Sequence, residues 1–126
     1  MTWEDLAECQ RRMAQHLLAS GESAFSRGVC GRAYYAAYAL VTARLPDSLT
    51  FGRGWRNPAH AALPAYVNHI GGLREDQRRG VRRALRRLRQ RREDADYRPG
   101  ITVGTADARE SLRDMAEVFV ILLPRA

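Results

Sequence analysis

His60, Arg53 and Arg56 are the residues of this chain whose types and spacing could carry a reaction. A histidine with an ordinary pKa near 6.5 moves protons at neutral pH, and an arginine grips a phosphate through parallel hydrogen bonds. Together they suit cleavage of RNA through its own 2′-OH without a metal. His60 follows Arg53 with six residues between, and His16 follows Arg11 with four. Arginine fills one position in six, so a given histidine finds one at some permitted offset by chance about 40 per cent of the time. Position separates the histidines better than spacing does. Asn57-Pro58 reads as a cap followed by proline at the first helical position, which would put His60 in a first turn where free N–H groups and the helix dipole favour phosphate. His16 reads as helix surface or core edge, and His69 has no such neighbour.

A second group is the run Arg78, Arg79, Arg82, Arg83, Arg86, Arg87, Arg89, Arg91 and Arg92. On a helix the rows 78/82/86 and 79/83/87 are like-charge pairs at i, i+4, each costing about 0.2–0.5 kcal/mol. Something anionic must relieve them. Nucleic-acid phosphates would do so with counterion release. So would Glu75, Asp76, Glu93, Asp94 and Asp96 near the helix ends, or another subunit. Across the chain 21 basic residues face 14 acidic ones, for a net charge of +7, and every basic residue is arginine. That usage follows from a GC-rich genome as readily as from selection for phosphate binding, but either way it favours an anionic partner.

The elements that must hold these residues are helical. Gly31 to Leu45 reads GRAYYAAYALVTARL, with Tyr34, Ala37, Tyr38 and Val41 at i, i+3, i+4, i+7 and Tyr35, Ala39 and Thr42 on a neighbouring stripe. So wide an arc marks a central helix with neighbours on several sides, and each buried tyrosine hydroxyl needs a partner. Thr2 with Asp5 forms a capping pair for a first helix whose apolar side is Trp3, Leu6, Ala7, Met13, Ala14, Leu17 and Leu18, ending near Ser20-Gly21. Glu22 to Val29 is expected as a short helix or turn. Pro46 ends the central helix and opens a loop to Arg56. A third helix is expected from Asn57 through Ile70, kinked or split at Pro64. Gly71-Gly72 breaks the chain before a fourth helix, Glu75 to Asp94, with the core stripe Val81, Ala84, Leu85 and Leu88. Thr105 would cap a last helix with Leu112, Met115, Ala116, Phe119, Leu122 and Leu123 inside.

The expected architecture is therefore all-α, an up-and-down bundle of about five helices in a single domain spanning residues 1–126. The chain has no apolar run of membrane-spanning length and an acidic rather than basic start, which reads as a cytoplasmic protein without membrane contact. Cys9 and Cys30 lack metal-ligand spacing, and there is no Walker A loop, GxGxxG, HExxH or CxxC. No cofactor and no metal are expected.

Arg32-Ala33-Tyr34-Tyr35-Ala36 on the second helix, the lone His60 beyond the following loop, and Arg91 or Arg92 leading into Ala95-Asp96-Tyr97 together resemble the HEPN superfamily. The likeness is to its small stand-alone branch and spans residues 5 to 123. The resemblance implies a helical bundle that dimerises, and an association with RNA cleavage, nucleotide binding, toxin–antitoxin pairs with nucleotidyltransferases, and phage defence. It carries over Arg32, Tyr34, Tyr35, His60, Asp96 and Tyr97, the last two able to tie the helix end to the central helix. The chain departs from the family where active members carry Arg-x4-6-His near the start of a late helix, because its last helix has Arg109 and Arg113 but no histidine. The expected function is RNA or nucleotide binding by a HEPN-like homodimer, with metal-independent RNA cleavage by His60, Arg53 or Arg56 on the phosphate, and Arg82, Arg86 and Arg89 adding contacts. The alternative is a non-catalytic interaction module whose arginine helix neutralises an acidic partner such as a nucleotidyltransferase or defence complex. A DNA-binding regulator ranks lower for want of a helix-turn-helix pair.

Overall fold

A computed structural model describes residues 1–51 and 57–123. Arg53 and Arg56 lie outside the described residues. Five α-helices follow in order: α1 (Trp3–Ala19), α2 (Ser26–Arg44), α3 (Leu63–Tyr66), α4 (Glu75–Tyr97) and α5 (Thr105–Leu122), with 3₁₀ turns at Ser23–Phe25 and Val67–His69. The fold is an all-α bundle, with no strand among the described residues. α2 is its axis, packing on α1, α4 and α5, while α4 also packs along α5. From Ala33 to Thr42 every residue of α2 except Tyr35 is buried, so the wide apolar arc is matched by neighbours on several sides.

Local signals set most boundaries. Thr2 and Asp5 form the reciprocal cap, Asp5 N–H donating to Thr2 Oγ1 at 3.0 Å and Thr2 N–H to Asp5 Oδ2 at 2.9 Å. Gly21 follows α1 with φ +74°, a left-handed position that glycine fills without strain. α2 begins five residues before Gly31, through two glycines that lower helical propensity. Neither position demands a bare backbone: a Cβ at Gly28 would stand 3.5 Å from Leu17, and one at Gly31 would stand 3.6 Å from an Asp96 carboxylate oxygen, both ordinary van der Waals distances. Close packing on α1 and α4 outweighs the propensity cost of about 1 kcal/mol per glycine.

The expected helix from Asn57 to Ile70 does not form. His60 to Ala62 make a turn in which Ala62 and Leu63 N–H both donate to Ala59 O, and helix proper lasts only from Leu63 to Tyr66. Pro64 sits in that first turn, where its missing N–H costs nothing and no kink results. α5 also differs in detail. Gly104, not Thr105, is its cap, with Gly104 N–H donating to Asp107 Oδ2 at 2.9 Å. Ala116 and Leu123 face water, and Ala108, Ser111, Asp114 and Val118 take the inner side beside Met115, Phe119 and Leu122. Met13 of α1 likewise turns outward.

Two arginines that periodicity does not single out close the bundle. Arg44 donates through Nε to Leu122 O at 2.8 Å and pairs with Glu4 at 3.2 Å, tying α2 to the end of α5 and the start of α1. Arg27 reaches across to the end of α4 and the segment after it, where its guanidinium donates to the carbonyls of Asp94, Ala95, Arg98, Pro99 and Ile101.

Candidate functional site

The tyrosine face of α2 is what holds His60. Tyr38 hydroxyl donates to Pro58 O at 2.6 Å, anchoring the turn that carries the histidine. Tyr34 hydroxyl and His60 Nδ1 are hydrogen-bonded at 2.7 Å, and the imidazole lies among the rings of Tyr38, Tyr34 and Tyr35 with centroids 4.8, 5.5 and 6.0 Å away. The partners required by two buried hydroxyls are thus found in the histidine segment. His60 is not in the first turn of a long helix. It precedes a four-residue helix, so the expected help from a helix dipole is absent.

Cations replace the dipole. His60, Tyr34, Asn68, Pro64 and Leu85 line a cleft of about 460 Å³ together with Arg82, Arg86 and Arg89 from successive turns of α4. The histidine and the arginine helix, separate signals in the sequence, meet here. Arg82 is committed internally, Nη1 donating to Asn68 Oδ1 at 2.6 Å and Nη2 to Glu75 Oε1 at 2.8 Å. Arg89 Nε stands 3.0 Å from Glu93 Oε1 but is poorly aligned for a hydrogen bond, since that buried nitrogen has no hydrogen-bond partner. Arg86 is exposed and has no carboxylate within 4.0 Å among the described residues. Arg86, and Arg89 through its terminal nitrogens, which make no hydrogen bond among the described residues, are therefore the cleft cations with donors to offer an incoming anion.

Part of the remaining like-charge strain is relieved within the chain. Arg91 pairs with Asp114 at 2.7 Å and Glu110 at 3.4 Å, and Arg87 and Arg83 approach Asp114 and Glu117 at 3.9 and 4.0 Å. These α5 carboxylates, which no reading of α4 by itself would supply, join Glu75, Glu93 and Asp96 as counter-charges.

Arg92 is the hub that the candidate residues share. Its Nε donates to Asp96 Oδ2 at 3.1 Å, and its Nη2 donates to the hydroxyls of Tyr35 at 2.7 Å and Tyr97 at 2.9 Å. Its guanidinium carbon lies 5.0 Å from the Tyr35 ring centroid. Asp96 and Tyr97 thus tie the end of α4 to the central helix through Arg92. The sequence marks Arg92 only as one of two arginines leading into Ala95-Asp96-Tyr97, and its i, i+4 spacing from Asp96 is the signal that separates it from Arg91. Asn68, which the sequence reading does not name, carries no such signal. Arg32 is not part of this cleft. Its Nη1 donates to Gln10 Oε1 at 3.3 Å, and it lines a groove against α1 with Arg12, Met13 and His16.

Burial first, then the positive charges of Arg92 and Arg89, push the His60 pKa below its ordinary 6.5, with Glu93 opposing in part. Burial likewise raises Tyr34 far above the ordinary phenol value, so it stays protonated. A neutral imidazole bonded through Nδ1 has Nε2 left for chemistry. In the tautomer with Nδ1–H donating to Tyr34, Nε2 is a base. The shift also sets a direction for stability. Because the unfolded histidine binds its proton first, the stability linked to His60 is present above pH 6.5 and is lost as pH falls through the lower folded value. The thermal midpoint of the wild type is expected to fall more steeply below pH 6.5 than that of His60→Gln, in parallel melts across that range.

Among the described residues no helix is long and apolar enough to cross a membrane, and no group of three His, Cys, Asp or Glu is placed to hold a metal ion. No protein-family model, curated protein or solved structure matches the chain.

Proposed function

We propose that the chain is a HEPN-like protein that binds RNA or a nucleotide through the His60 cleft and cleaves RNA there without a metal, in a toxin–antitoxin or phage-defence setting. One observation carries the reading: a neutral histidine and two arginines with unspent donors line the same cleft. Arg86 and Arg89 hold the scissile phosphate and stabilise its developing charge. His60 Nε2 takes the proton from the 2′-OH, whose oxygen bonds to phosphorus as the P–O5′ bond breaks, leaving a 2′,3′-cyclic phosphate and a 5′-oxygen that is protonated by water. Tyr34 holds the ring through Nδ1, and Arg82, locked by Asn68 and Glu75, shapes the wall.

The experiment is RNA binding as a function of salt. Each phosphate contact contributes roughly 0.7 to the slope of log affinity against log salt for single strands. Arg86→Ala and Arg89→Ala are each expected to weaken binding and flatten that slope by about one contact, whereas Arg109→Ala on α5 leaves it unchanged. Equal slopes for all three variants contradict the reading.

A second reading has its own support. Most α4 arginines already have carboxylate partners inside the chain, which suits a non-catalytic module that meets a nucleotidyltransferase or defence complex through the remaining exposed cations. It predicts tight binding to that protein and weak, non-specific binding to RNA.

A further inference from the structure

Tyr97, the last residue of α4, is 65% exposed. A tyrosine so open to water is ordinarily free to swing, but this one is held by Arg92 Nη2 at its hydroxyl, with the guanidinium carbon 5.1 Å from the ring centroid. Arg92 is fixed in turn by Asp96 and Tyr35, so the restraint runs back to the rings around His60. Tyr97 also shares a ridge of α4 with the cleft arginines, since positions 86, 89, 93 and 97 follow in steps of three or four. At 1.5 Å rise per residue it stands about 12 Å along the axis from Arg89.

An aromatic ring of fixed direction, open to solvent and a short step beyond a phosphate clamp, has the layout of a stacking platform beside a backbone track. We infer that Tyr97 stacks a base of the strand whose phosphate occupies the His60 cleft, and that the ligand is single-stranded RNA with an unpaired base at that step. A duplex keeps its bases within its own stack and offers only backbone and groove edges. This inference rests on the cleft being the phosphate site.

Fluorescence anisotropy with a single-stranded RNA and an abasic ribose-phosphate backbone of equal length and charge tests it. The wild type is expected to bind the RNA roughly tenfold more tightly than the abasic strand, a margin typical of one stacked base. Tyr97→Ala is expected to lose that margin and bind both as the wild type binds the abasic strand, with its circular dichroism unchanged because Arg92 keeps Asp96 and Tyr35. Tyr97→Phe is expected to retain most of it, because the Arg92 guanidinium still lies against the ring when the hydroxyl bond is lost. A margin that survives in Tyr97→Ala, or that vanishes in Tyr97→Phe, overturns the stacking role and leaves the cleft as phosphate site standing. A wild type that binds neither strand removes the cleft reading and the inference with it.

Discussion

His60→Ala is expected to slow metal-free RNA cleavage by roughly a hundred- to ten-thousand-fold, the range over which a positioned acid–base group acts. Affinity for RNA should change much less, because in the proposed mode the phosphate contacts come from Arg86 and Arg89, which line the cleft beside the imidazole. Alanine also strips Tyr34 of its hydrogen-bond partner, so a loss of rate could in principle be a loss of fold. His60→Gln separates the two: its amide can bond to the Tyr34 hydroxyl but cannot titrate. It should keep the fold and RNA affinity yet show the same loss of rate. The pH profile adds a signature. Burial and two nearby guanidinium groups hold the His60 pKa below 6.5, so cleavage that uses the neutral ring as base persists to a lower pH than an exposed histidine would allow. The acid limb of kcat/KM is expected below pH 6.5, and a limb above it would contradict the assignment.

Arg27→Met is expected to cost about 3 kcal/mol of stability, a fall of roughly 10 °C in Tm for a chain of this size. The guanidinium fork serves five carbonyls that cluster where α4 ends and the connection to α5 begins. The last carbonyls of a helix have no partners in the helix itself, and a cation there also meets the negative end of the helix dipole. Methionine keeps the apolar stem and leaves those oxygens to water. Arg27→Lys should recover less than half of the loss, because a single ammonium cannot reach both groups of carbonyls at once. The effect extends to the site. Asp96, Tyr97 and Arg92 sit in the last turns of α4, so fraying there would loosen the ring cluster around His60. Thermal melts and RNA affinity measured on the same samples check both parts.

Elements defined by local rules were legible in the sequence. The Thr2–Asp5 cap, the left-handed Gly21, the stop at Pro46, the Gly71-Gly72 break and the stripe of Val81, Ala84, Leu85 and Leu88 are matters of side-chain spacing and backbone preference over a few residues. What escaped depends on contacts far apart in the chain. α2 extends through Gly28 and Gly31 because its packing on α1, α4 and α5 outweighs the local propensity cost. The segment after Asn57 has helix-start chemistry, but Tyr38 captures Pro58 O and Tyr34 captures His60, and these bonds hold a turn in place of a helix. The α5 carboxylates that neutralise Arg83, Arg87 and Arg91 are about twenty residues or more from their partners, beyond the reach of an i, i+4 reading. In the candidate site, His60, Tyr34, Tyr35, Arg82, Arg86, Arg89, Asp96 and Tyr97 do form one connected region, in which Arg92 is the missing link and Arg32 has no part.

The chain has three histidines, His16, His60 and His69, of which only His60 lines the cleft, so selectively labelled imidazoles can report RNA binding directly. In a titration with a short single-stranded RNA followed by the nuclear magnetic resonance of ¹⁵N-labelled histidine, a phosphate seated against Arg86 and Arg89 places negative charge beside His60. Its ring resonances are then expected to shift with saturation and its pKa to rise, while those of His16 on α1 stay where they were. RNA that saturates the protein and leaves His60 unmoved would contradict the cleft as the site where this protein meets its ligand.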